Sequence, residues 1–149
     1  MSVLKEPPEL LESTGYLLAR AGSESRRRFV EALSRQELTL AAYSVLMILG
    51  GLSGATQRQL AEAAGIDPRN LVPILDDLEA RGFVARDSHP GDRRRHAVRL
   101  SSAGRAKLAR LGQVGAKAEQ DLLEPLSAAQ RKQLHSLLHI LLTGNMSGQ

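Results

Sequence analysis

Residues 56–82 read TQRQLAEAAGIDPRNLVPILDDLEARG, and this stretch decides the fold. Thr56-Gln57-Arg58-Gln59 is a capping box: the Thr56 hydroxyl accepts from the Gln59 backbone amide, and the Gln59 side chain reaches back. The helix it opens runs through Leu60 and Ala64 and stops at Gly65, a left-handed cap. Asp67 then caps a second helix with Pro68 at its first position, where a missing N–H costs nothing. That helix continues through Leu71, Ile74, Leu75 and Leu78 to Gly82. Ala61 is small where the two helices must cross, and Ile66 and Leu71 fill the space beneath. Two helices joined at Gly65-Ile66-Asp67 make a helix-turn-helix, whose second member can enter a DNA major groove. Packed helix pairs with a glycine turn are common in all-α proteins, so the residues that follow carry equal weight.

Phe83-Val84-Ala85-Arg86 and Ala97-Val98-Arg99-Leu100 are strand-like runs flanking the turn-rich stretch 87–95, which predicts a hairpin. Across 86–99 there are five arginines (86, 93, 94, 95, 99) and two aspartates (87, 92), a local excess of +3. Pro90-Gly91 would hold Arg93, Arg94 and Arg95 away from the body, a shape suited to a minor groove. A solvated charge run is the plain alternative. A helix-turn-helix followed directly by a basic hairpin outweighs it.

Moving outward, Thr39 caps a short helix carrying Ala42, Val45, Leu46, Ile48 and Leu49, which reads as buried all round and ends at Gly50–Gly54. A long segment from Glu9 to Leu33 has helical spacing, with Gly15 and Gly22 as interruptions that a bend or a close helix contact would explain. Ser101 or Ser102 caps a further helix with Ala106, Leu108, Leu111 and Val114. Ser127-Ala128-Ala129-Gln130 is a second capping box, opening a last helix with Leu134, Leu137, Leu138, Leu141 and Leu142 that ends near Gly144. The order is four helices, a hairpin and two helices. The leucines at the two ends exceed what a small core requires, so a two-fold dimer that buries them is expected.

The chain of 149 residues suits one domain, 1–149, and its composition removes whole classes of function. It contains no cysteine, which excludes thiol catalysis and thiolate metal sites. Lys+Arg is 20 against 16 Asp+Glu, and 16 of the 20 are arginine, the better phosphate and groove ligand. No run reaches the roughly 18 apolar residues of a membrane span, and MSVLKEPPEL lacks a signal peptide's apolar core, so a cytoplasmic protein without a membrane partner is expected. Gly50–Gly54 lacks the lysine and hydroxyl of a phosphate loop. His135 and His139 stand four apart but lack a carboxylate beside them, and read as an interface or partly exposed pair. Arg26-Arg27-Arg28 reads either as a helix surface or as a DNA-backbone contact, the former being commoner. No catalytic residue, metal site or cofactor is expected, and no enzyme.

Gln59–Ile66, Leu78–Val84, Asp92-Arg93-Arg94 and Val98–Gly104 together resemble the MarR family of bacterial transcription regulators. The wing signature of Asp92, Arg94, Leu100, Ser101 (commonly threonine) and Gly104 is the strongest element, and the likeness covers nearly the whole chain. The resemblance implies a mainly α winged helix-turn-helix with a small β-hairpin wing. It implies a DNA-binding lobe at 39–100, dimerisation helices at 9–35 and 102–144, and a homodimer on a palindromic operator. Arg94 would enter the minor groove between Arg93 and Arg95, with Asp92 orienting its guanidinium. The sequence departs from the family where Pro73 and Asp77 stand at positions often basic; Pro73 predicts a kink or a late helix start. Arg69 and Asn70 are left as base readers, Arg69 with phosphate contact as the even alternative. The resemblance also implies an aromatic or phenolic anion as effector, in a crevice that Tyr16, Arg20, Tyr43 and Met47 could line, and a repressor as the outcome. A constitutive or architectural winged-helix protein without ligand response is the alternative.

Overall fold

The computed structural model describes residues 7–88 and 96–146. Its elements are α1 (Pro8–Leu11), α2 (Thr14–Ser34), α3 (Leu40–Gly50), β1 (Ala55–Thr56), α4 (Gln57–Ala64), α5 (Pro68–Ala80), β2 (Val84–Ser88), β3 (His96–Leu100), α6 (Ser102–Leu122) and α7 (Ala128–Met146). Two compact units result, one of Phe29–Ala116 and one formed by the chain up to Arg28 and from Lys117 onward.

The Phe29–Ala116 unit is built on α3, α4 and α5, whose Leu46, Leu49, Leu60, Leu71, Leu75 and Leu78 are fully buried. Among the described residues no polar or charged side chain is buried, so hydrophobic burial dominates the stability of this unit. The Thr39 hydroxyl accepts from the Ala42 amide at 3.1 Å and starts α3. That helix is not buried on every side, since Met47 is 50% exposed. β1, β3 and β2 form an antiparallel sheet in that order, with Ala55 opposite Val98 and Val84 opposite Leu100. β1 is only two residues long; its partner lies over forty positions away, so no local pattern announces it.

The helix boundaries follow the capping chemistry. The Gln59 amide donates to the Thr56 hydroxyl at 3.1 Å and the Thr56 amide to the Gln59 side chain at 2.9 Å. Gly65 takes φ 64°, ψ 33°, and the Asp67 carboxylate accepts from the Arg69 amide at 2.8 Å. Ser101 pins the start of α6 to the end of the helix-turn-helix: its hydroxyl donates to the Gly82 carbonyl and accepts from the Gly104 amide. A Cβ on Gly104 would stand 2.0 Å from the Phe83 carbonyl oxygen, so only glycine allows this approach.

Three expectations change. The N-terminal segment breaks at Glu12–Ser13 into α1 and α2, because the Ser13 hydroxyl accepts from the Tyr16 amide and caps a new helix. α2 then runs unbroken through Gly15 and Gly22, and no described residue of this chain lies within 4 Å of where a Gly22 Cβ would sit, so no contact within the described chain accounts for it. α5 starts at Pro68 and continues past Pro73, which removes the late start; the Arg69 carbonyl simply lacks the donor Pro73 cannot supply. In the other unit the Ser127–Gln130 box opens α7 as expected, with both reciprocal bonds made. No described residue of α7 is buried: Leu137, Leu138, Ile140, Leu141 and Leu142 are 36–70% exposed.

Candidate nucleic-acid interface

α5 presents an open face at its N-terminal end. Leu71, Leu75 and Leu78 turn inward, which leaves Arg69, Asn70 and Val72 outside. The Arg69 side chain is 90% exposed and rests on Asp67, Nε to Oδ1 at 3.3 Å. Asp67 thus caps the helix and holds its arginine, and both contacts, the Arg69 amide first, keep its carboxyl below the usual range. Val72, 42% exposed, was not singled out by the sequence; the available signal is an apolar residue lying off the inward leucine stripe. A groove of about 820 Å³ lies between α4 and α5, with Gln57, Arg58, Gly65, Ile66, Arg69 and Val72 among its walls.

The hairpin stem is described and its tip is not. Asp92, Arg93, Arg94 and Arg95, with His89, lie outside the described residues. Two of the five arginines that gave the hairpin its charge belong to the stem and are already paired. Arg86 donates Nη2 to Asp76 Oδ1 at 2.7 Å, tying β2 to α5, and its Nε is buried without a partner. Arg99 donates Nε to Asp87 Oδ2 at 2.7 Å, and this bond raises its pKa further. Arg86 and Arg99 therefore serve the scaffold, so the charge count over 86–99 overstates what the hairpin stem itself leaves open. Asp77, at the position where the family resemblance leads one to expect a basic residue, accepts from Arg81 at 3.4 Å. Asp76 and Asp77 are thus both engaged with arginines, one from the stem and one from the end of α5 itself.

The residues considered for an effector are divided between the units. Tyr16, half-buried, and Arg20, exposed, lie on α2 before Arg28. Tyr43 lies on α3 in the other unit, edge-on to Phe29 with centroids 5.0 Å apart at 81°, and Met47 follows it four residues later on α3 with half its surface open. Neither unit holds all four. The arginine triplet lies on the α2 surface: the Glu24 carboxylate accepts from Arg27 and from Arg28 at 2.7–2.9 Å. Those bonds, Arg27's first, hold Glu24 down at about 2. His135 and His139 are both exposed, rings 6.4 Å apart and near parallel, and among the described residues no group of three or more His, Asp or Glu could hold a metal. No helix among them is long and apolar enough to cross a membrane.

Known proteins share this arrangement. The model of the MarR family matches residues 38–96, from the start of α3 to the base of β3. An HTH-type transcriptional repressor of Mycobacterium tuberculosis is 32% identical over 127 residues, 85% of this chain and 91% of its own. A MarR family protein of that organism, solved in complex with salicylic acid, is 30% identical over 94% of this chain and 99% of its own, with a TM-score of 0.66. The transcriptional repressor CouR, solved on a 23-mer DNA duplex, is 38% identical over 95% of this chain and 99% of its own, with a TM-score of 0.69. Identity of this order over nearly complete lengths, on the same winged helix-turn-helix, shows that the chain belongs to the MarR family.

Proposed function

We propose that this protein is a homodimeric repressor of transcription that binds a palindromic double-stranded operator in the cytoplasm and is released by a small aromatic or phenolic anion. The observation that carries the reading is the open face of α5, where Arg69, Asn70 and Val72 stand exposed on a capped helix, in a chain related to a repressor solved on DNA. In this reading Arg69 and Asn70 take guanine and adenine edges, and Val72 supplies apolar contact to a thymine methyl. Arg94, oriented by Asp92 and flanked by Arg93 and Arg95, enters the minor groove. Residues 39–100 form the DNA-binding lobe. The helices at 9–35 and 102–144 dimerise it, a role favoured by the uncovered leucines of α7. Tyr16, Arg20, Tyr43 and Met47 are proposed effector contacts on chemical grounds, aromatic faces and a guanidinium suiting an aromatic anion; the relative solved with salicylic acid supports the ligand class alone. The reading requires no cofactor and no enzymatic step.

Selection of bound sequences from random duplex DNA tests the first half. The expected product is an inverted repeat with half-site centres about 10–10.5 bp apart. Titration with salicylate and other phenolic acids, read by thermal shift and by release of the selected duplex, tests the second. Failure to select any sequence sinks the DNA-binding reading. Selection without any anion response leaves a constitutive DNA-binding protein.

A further inference from the structure

α2 ends where glycine is the usual choice and glutamate is found. The Leu38 amide donates to the Leu33 carbonyl at 3.0 Å and the Glu37 amide to the Ser34 carbonyl at 2.9 Å, the paired bonds that close a helix through a left-handed residue. Glu37 is that residue, at φ 57°, the only positive φ outside glycine among the described residues. Such a conformation is strained for a side chain with a Cβ and persists only where the surroundings hold it.

The hold comes from 44 residues away. Arg81, the C-cap of α5, donates Nη1 to the Glu37 carbonyl at 2.7 Å and Nη2 to the Gln36 carbonyl at 3.4 Å. Helix C-termini leave carbonyls without donors at the negative end of the dipole, and a planar guanidinium reaches two at once. Asp77 and the Phe83 ring fix the guanidinium from behind, the ring centroid 5.1 Å away. Lys107 of α6 reaches the same corner, its Nζ 3.2 Å from the Gln36 side-chain oxygen and 5.8 Å from the Phe83 centroid. α5 needs such an anchor, because Pro73 removes one bond from its middle and leaves its two halves less firmly coupled.

We infer that Arg81 is a positioning residue for DNA recognition: its grip on the Gln36–Glu37 turn sets the pitch of α5, and so where Arg69, Asn70 and Val72 meet the groove. The inference rests on the DNA-binding reading above, and the wild-type arm of the experiment tests that reading separately.

Full-length wild type, Arg81→Gln, Arg81→Lys and the double variant Arg81→Gln/Glu37→Gly are compared. Each is measured for affinity to the selected operator, for affinity to a scrambled duplex, and for thermal unfolding. Arg81→Gln should lower the operator-to-scrambled ratio roughly tenfold, the scale of coupling between residues in one network, with Arg81→Lys in between. Glycine at 37 relieves the backbone strain without restoring the tether. The double variant should therefore regain stability while its ratio stays low, and a merely structural Arg81 would give back both. Should Arg81→Gln fail to fold, the lysine and double variants decide alone. A ratio unchanged in the single variants, or restored in the double one, overturns the inference. A wild-type protein that prefers no duplex brings down the DNA-binding reading beneath it instead.

Discussion

α3 and α7 are both leucine-bearing helices with contrary fates. α3 sends Ala42, Val45, Leu46 and Leu49 into a closed core, with Leu46 and Leu49 wholly inaccessible. α7 carries Leu137, Leu138, Ile140, Leu141 and Leu142 and buries none of them; Leu142 is 70% exposed. Exposed apolar surface of this extent is unusual on a monomer and marks a face awaiting a partner. An apolar stripe thus records that a face will be covered, and says nothing of whether the cover comes from the same chain. α3 answers to folding, whereas α7 leaves its leucines uncovered, which the dimer proposed above would bury.

That division can be broken first where it is strongest. Leu46→Ala should cost about 2–5 kcal/mol of stability, because a fully enclosed site cannot collapse around the lost methyls. Chemical denaturation measures it, and a loss under 1 kcal/mol would mean that the core is looser than its burial implies. Replacing Leu138 and Leu142 together by glutamate should leave the Phe29–Ala116 unit folded while sedimentation at micromolar concentration shifts to monomer or aggregate. Operator affinity should fall about a hundredfold, close to 3 kcal/mol, since one half-site offers too few contacts. A variant that stays dimeric assigns α7 to some other partner. Arg94→Ala should weaken operator binding by roughly 1–3 kcal/mol with no change in unfolding, sharpening the contrast between residues that build the protein and one proposed to read DNA alone. Wild-type affinity at physiological salt would remove Arg94 from the interface.

The smallest effect concerns Glu24. Its folded pKa, about 2, lies below the ordinary 4.5, so the carboxylate's stabilising contribution is present above pH 4.5 and is lost as pH falls towards 2. Both arginine partners lie on the same exposed helix surface, so the contribution is slight. In Glu24→Gln the acid limb of a stability-versus-pH curve should flatten slightly between those values, and an unchanged limb would show that the ion pairs add nothing in solution.

What the sequence disclosed was whatever is local. The Thr56 and Ser127 boxes, the Gly65 cap and the Asp67-Pro68 start each require groups within five residues of one another, so their spacing alone is a sufficient signal. The pairing of Ala55 with Val98, of Arg86 with Asp76 and of Arg81 with the Glu37 carbonyl joins residues 10 to 44 apart, and no periodicity encodes it. Arg86 and Arg99 were therefore counted with the wing's charge when each already has an aspartate. Pro73 is legible as a missing donor but its outcome is not, since whether the helix begun at Asp67-Pro68 continues through it depends on packing along the whole of α5.

The pairing of Arg69 with Asp67 has a consequence for how salt governs the encounter with DNA. A phosphate that captures an unattended arginine releases a condensed cation and gains the entropy of dilution. Arg69 would arrive with a neighbour, so a phosphate would first have to take it from Asp67, leaving the carboxylate with the Arg69 amide but no guanidinium beside a polyanion. The freed carboxylate draws a cation back, so this exchange adds little to the slope of affinity against ionic strength. The pair is exposed and weak, so the threshold Asp67 would set is small, and the paired acceptors of a guanine edge would pass it more readily than a lone backbone oxygen. In the DNA-binding reading proposed above, the carboxylate that begins the helix would thereby work against indiscriminate attachment along the duplex.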